Sequence, residues 1–241
     1  MQIGSNSASA FISQFSGSDK SSQRIKKAID TVGKNSPFEM QLVKSASVSS
    51  PSSPSSKSAE TPPASWGSVF FNLSAADGAI HIEDMVNVAD AAMKDAKNQL
   101  DSAFASAGIL NSPAVNFSFD RNGQLVVGDH PQKEQIQKLL SENTGLTHNV
   151  REAMILKENA VSWQKAENFT AAYQRTYSQK GSAAAHALWE RYMAIGDAKS
   201  SFSYSTSGFT GLFNGKPEQE YLASVMNSLG LGNGMRLDSF A

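Results

Sequence analysis

Residues 45 to 65, SASVSSPSSPSSKSAETPPAS, are almost wholly Ser, Pro and Ala with one Lys and one Glu. Such a segment has almost no apolar area to bury, and its prolines remove backbone donors and fix φ against both helix and ladder. It reads as a linker, and it divides the chain into three parts. These are a leader at 1–44, a Ser/Pro linker at 45–65, and a folded region at 66–241. A chain of 241 residues with 40% hydrophobic and 18% charged residues is therefore expected to build its core mainly from the last part.

Within that part the apolar spacing is mostly helical. WGSVFFNLS, from Trp66, alternates well enough to read as a first strand or extended edge. Asp77-Gly78 then turns the chain. From Glu83 to Ala107, Met85, Ala89, Ala92, Met93, Ala96, Leu100 and Phe104 recur at three and four, which predicts an amphipathic helix stopped by Gly108. Val115, Phe117 and Phe119 alternate before Asp120-Arg121-Asn122-Gly123, and Leu125 and Val127 alternate after it, which predicts a β-hairpin. Pro131 opens a helix carrying Ile136, Leu139 and Leu140, ended by Gly145.

Thr147 is the expected N-cap of a helical stretch running to Gly181, as one helix or two, with Val150, Met154, Val161, Phe169, Ala172, Tyr173 and Tyr177 along its apolar stripe. SAAAHALWERYMAI is a further helix with Ala184, Ala187, Leu188, Tyr192 and Ile195 inward. Phe202, Tyr204 and Thr206 alternate before a Gly-punctuated loop, Pro217 to Leu229 form a last helix, and GLGNGMRLDSFA is a Gly-rich tail. The fold class is α+β, mostly helical, with one β-hairpin, behind a disordered Ser-rich leader and linker.

The leader has its own pattern. Residues 1 to 18, MQIGSNSASAFISQFSGS, carry no Asp, Glu, Lys or Arg, and residues 19 to 44 hold a short amphipathic helix with Ile25, Ala28, Ile29 and Val32 on one face, ended by Gly33. Ser, Asn and Gln interrupt every apolar pair, so the segment is not a Sec signal peptide, which needs a cationic stretch and about 7–15 contiguous apolar residues. No segment approaches the roughly 20 apolar residues of a membrane span. With its serines, Gln2 and Asn6, the aliphatic Ile3 and no early acid, this composition resembles the N-terminal secretion signals of bacterial type III substrates, particularly those of plant-associated bacteria. The resemblance implies that Ile3, Ser5, Ser7, Ser9, Phe11 and Ile12 belong to an export signal. It also implies a chain secreted without a Sec signal and acting on a protein partner, either a host target or an export chaperone. The alternative is a cytoplasmic protein with an ordinary disordered tail.

Other classes find less support. A net charge of -1 removes the electrostatic case for nucleic-acid binding. With no Cys, thiol nucleophiles, disulfides and thiolate zinc sites are excluded, and no cofactor or metal motif is present. Ser118, Asp120, Asn122, Gly123 and Asp129 fit a calcium loop poorly, lacking its first acid and its final Glu. Of His81, His130, His148 and His186, only His186 has a partner at ligand spacing, Glu190, and a surface pair is the expected reading. Asp84, Glu152 and Glu158 are the carboxylates a hydrolase would use.

Three functions follow: a secreted effector or accessory protein that binds proteins, an enzyme effector with an unread active site, and an appendage-associated structural protein, which the absence of a heptad repeat disfavours. The oligomeric state is left open. Trp66, Phe70, Phe71, Trp163 and Trp189 are the aromatics that would form a binding patch, with the core the expected place for most of them.

Overall fold

The computed structural model describes residues 19–34, 65–73 and 78–231, without the side chains of 32–34. The residues expected to form an export signal, Ile3 to Ile12, nearly all of the linker, and the tail after Leu231 lie outside the described residues. The chain separates into two compact units, Met1–Val88 and Ala89–Ala241.

In the first unit, α1 (Lys20–Lys34) follows Asp19, whose carboxylate accepts from the backbone and hydroxyl of Ser22 at 2.8 and 2.9 Å. Those bonds satisfy donors that a helix start leaves open and hold the Asp19 carboxyl below its ordinary value. Ile25, Ala28 and Ile29 form the buried face, as their spacing predicts. The expected strand after residue 65 is instead a helix, α2 (Trp66–Phe71). Ser65 caps it through the Ser68 N–H at 3.1 Å, and Trp66, Val69, Phe70 and Leu73 are buried at helical spacing. The cap and the three-four pattern override the weaker alternation.

The third helix, α3 (Ile82–Ala107), begins in this unit and continues into the second. Asp84 in its first turn is fully buried. Arg24 donates to it from Nε and Nη2 at 2.5 and 2.9 Å, Ser21 Oγ donates at 2.6 Å, and Asn87 donates to Ser21 Oγ at 2.9 Å. A buried carboxylate needs this degree of compensation.

In the second unit the sheet is larger than one hairpin. Strands β1 (Val115–Phe119), β2 (Leu125–Val127), β3 (Ser200–Ser205), β4 (Gly208–Phe213) and β5 (Lys216–Pro217) lie in the order β2-β1-β3-β4-β5, each pair antiparallel. The β1–β2 hairpin forms as expected, its turn fixed by Asp120 accepting from the Asn122 and Gln124 backbones at 2.8 Å each and by Gly123 at φ 71°. The stretch after Tyr204 is not a loop. Thr206 and Ser207 form a two-residue turn, and β4 returns along β3 with Ser203 opposite Thr210. Asn214-Gly215, both at positive φ, then turns the chain into β5.

Val115, Phe117, Val127, Phe202, Tyr204 and Phe213 form the buried face of the sheet. Phe104 of α3 meets Tyr204 edge to face at 5.4 Å. Helix α4 (Lys133–Glu142) ends before Gly145, which lies in the first turn of α5 (Thr144–Lys180). The break falls at Asn143, whose side chain donates to the Leu139 carbonyl at 2.8 Å. Thr147, expected as the cap, donates to the Leu140 carbonyl at 2.6 Å from inside α5.

Helices α6 (Ser182–Ile195) and α7 (Glu218–Ser228) complete the unit. Lys157 of α5 ties three helices together, reaching Asp90 of α3 at 2.8 Å and Glu218 of α7 at 2.7 Å. The protein is α+β and mostly helical.

Candidate interaction surface

Helix α5 is a single helix of 37 residues, and Gly181 alone, at φ 82°, reverses the chain into α6. The two run antiparallel, and their register is fixed by aromatic and lysine contacts. Phe169 stacks on Tyr192 with ring centroids 4.0 Å apart. One turn earlier in α5, buried Lys165 donates to the Gly196 carbonyl at 2.6 Å and stands 5.2 Å over the Tyr192 ring. The ring and the carbonyl together offset the cost of burying the lysine stem. Burial, then Asp197, raises the Tyr192 hydroxyl above its ordinary value.

Outside this contact line the hairpin exposes large apolar side chains. Trp163 is 49% exposed, Tyr177 56%, Trp189 44% and Met193 58%. At about 100° per residue, Trp163 and Tyr177 lie roughly 120° and 80° past Phe169 round α5, while Trp189 and Met193 lie about 100° past Leu188 and Tyr192 round α6. The sense of rotation is mirrored across the contact line of two antiparallel helices, so all four side chains emerge on the same side of the pair. His186 joins them, stacked on Trp189 at 5.8 Å. Ala166, Thr170, Tyr173, Gln174 and Ser182 fill the positions between them, and the charged Glu167 and Glu190 stand at its outer margins, Glu190 paired with His186. The result is an aromatic strip about 21 Å long, as fourteen helical residues span, with its charges at the margins.

The other expected residues are placed elsewhere. Trp66 and Phe70 are core, but Phe71, at 76% exposed, joins Trp163 and Trp189 outside, so three of the five singled-out aromatics are exposed and the expectation that most are buried is corrected. Tyr177 also leaves the stripe assigned to it. His186 and Glu190 form the expected pair at 3.4 Å on the surface. His130 serves the start of α4, with Nδ1 accepting from the Gln132 backbone at 3.0 Å.

Asp84 is enclosed by Arg24 and Ser21, and Glu158 accepts from Ser200 at 3.0 Å. Glu152 and Glu158 stand on different sides of α5. Among the described residues no group of three His, Asp or Glu is placed to hold a metal, and no helix is long and apolar enough to cross a membrane. Asp120 of the poor calcium loop is committed to its own turn.

The signal for the strip was present in the sequence: Trp189 and Met193 stand one residue beyond the inward Leu188 and Tyr192. The chain matches no protein-family model, no curated protein and no solved structure.

Proposed function

We propose that this chain is a secreted bacterial protein, exported by a type III-like route, that acts by binding another protein through the α5–α6 strip. The observation that carries the binding reading is the strip itself. Two tryptophans, a tyrosine and a methionine held in the open on one helical pair, with Glu167 and Glu190 only at the margins, have the composition of the centre of a protein interface with a polar rim. Solitary exposed apolar residues are ordinary, whereas a contiguous aromatic row is not. The export reading rests on the uncharged Ser-rich composition of residues 1 to 18, including Ile3, Ser5, Ser7, Ser9, Phe11 and Ile12, and on a chain without Cys.

Two experiments test the two halves. Residues 1 to 65 fused to a reporter are expected to leave cells with a working type III apparatus and stay in cells without one, and export in neither strain refutes the address. A photo-crosslinking amino acid at Trp163 is expected to give a discrete protein adduct that the same group at exposed Glu134 of α4 does not. No adduct at Trp163 removes the binding reading.

A further inference from the structure

The strip has an internal symmetry. The Phe169–Tyr192 stack and the Lys165–Gly196 bond set the level of every α5 residue against α6, and in that register Thr170 stands level with Arg191. Thr170 is midway between Trp163 and Tyr177, and Arg191 is midway between Trp189 and Met193. Both exposed pairs are therefore centred on one line across the hairpin.

We propose that the strip's partner is a second copy of this chain, docked face to face about a two-fold axis along that line. This rests on the reading of the strip as a binding surface and names its occupant. A two-fold axis lying in the interface across the helices reverses their direction and keeps α5 over α5 and α6 over α6. Tyr177 of one copy then meets Trp163 of the other, and Trp189 meets Met193, so each large side chain is matched by one at the same height. Self-complementarity of this kind is what an isologous interface requires, and antiparallel helix pairs stacked this way form a four-helix bundle.

The area is of the right order. With side chains of about 200–250 Å² each, the exposed fractions of the four leave roughly 400–500 Å² per copy, over half of the ~800 Å² per partner in a stable interface. The strip brings no like charge against its own image, since about this axis the marginal Glu167 lies level with Tyr173 of the other copy and Glu190 with Tyr192.

The absence of Cys makes the test direct. Thr170→Cys puts the sole thiol of each copy on the axis, and Ser178→Cys puts it about 80° round α5 and eight residues along it, so that the two thiols of the dimer stand about 24 Å apart. Light scattering on the full chain is expected to give twice the 25.8 kDa chain mass, and mild oxidation to cross-link the Thr170→Cys protein but not the Ser178→Cys protein. The double variant Trp163→Ser, Trp189→Ser is expected to weaken dimerisation about a hundredfold or more, because each substitution is felt twice in a symmetric interface. Thr170→Arg, which touches no core, is expected to do the same by placing like charges on the axis.

A monomer at 100 micromolar order overturns the proposal, as does a dimer indifferent to both variants. If the chain is monomeric and the Trp163 crosslinker captures a different protein, the second copy is refuted while the binding surface stands. If it is monomeric and the crosslinker captures nothing, both readings fall.

Discussion

Replacing Arg24 by Met leaves the Asp84 carboxylate, which has no exposure of its own, with the Ser21 hydroxyl as its one side-chain partner among the described residues. Asp84 loses two charge-assisted bonds from one guanidinium, at 2.5 and 2.9 Å. Removing one member of a buried pair costs about 3–5 kcal/mol, because the survivor stays desolvated and uncompensated. Arg24 itself keeps 17% of its side chain in solvent, so Asp84→Leu leaves a cation that still reaches water, and a smaller cost of about 1–2 kcal/mol is expected. The double variant Arg24→Met, Asp84→Leu removes both charges and leaves an apolar contact, which brings the cost close to that of Asp84→Leu alone. The coupling between the two positions is then about 2 kcal/mol or more. Hydrogen exchange of the α1 amides reads it locally, independent of whether the two units unfold together, since opening of α1 is the event that exposes the pair. Additive single-variant effects, with coupling below about 0.5 kcal/mol, would refute the argument that Arg24 is held in place to neutralise Asp84.

In the second unit, Tyr204→Phe removes a hydroxyl that donates to Asp101 at 2.5 Å and should cost about 1–2 kcal/mol at neutral pH in chemical denaturation. Partial burial pushes the Asp101 carboxyl up, but the bonds from Lys97 and Tyr204 outweigh it and hold the value below the ordinary one. That contribution is present above the ordinary carboxylate range and fades as pH falls through the lowered value, so the wild-type advantage should shrink in acid. Burial first, then Asp101, raises the Tyr204 hydroxyl, so its contribution is intact below about pH 10 and is lost as pH rises above that. Lys157→Met should cost about 2–3 kcal/mol and loosen α7 first, seen as faster amide exchange in Glu218–Ser228, because Asp90 and Glu218 lose the ammonium they share. Gly211→Ala should destabilise by about 1–3 kcal/mol in thermal unfolding, since the added carbon would stand 3.0 Å from the Phe213 ring and 3.3 Å from the Phe202 ring; an unchanged midpoint would mean those rings have room to move.

What the sequence made legible was governed by local pattern. The α3 stripe from Met85 to Phe104 and the β1–β2 hairpin both carry strong periodicity with a turn or stop residue at the end, and both formed. The Trp66 segment misled because six residues are too few to separate a period of two from one of 3.6, and the deciding feature was the Ser65 cap. The β3–β4 hairpin was half visible: its glycines at 208 and 211 look like loop punctuation, but one takes a positive φ where β4 leaves the turn and the other supplies the space beneath two phenylalanine rings. Asn214-Gly215 was the unused hairpin signal. The pairing of β1 with β3 depends on contacts between residues remote in sequence, which no local window contains. The candidate surface was legible only in part, because an exposed tryptophan and a buried one have the same spacing until the helix's contact line is known.

That remote pairing has a consequence for when the protein becomes compact. Val115 must find Tyr204, and α4, α5 and α6 lie between them. Closing so long a loop costs about 4 kcal/mol in chain entropy, and the contacts that repay it arrive only after the far strand does. In a chain that emerges amino end first from a ribosome, the β1–β2 hairpin waits without its β3 neighbour while three helices pass. The sheet then gains β3 and β4 in quick succession from a two-residue turn. Until that moment the sheet is incomplete, so the order of the elements sets a late deadline for finishing the fold.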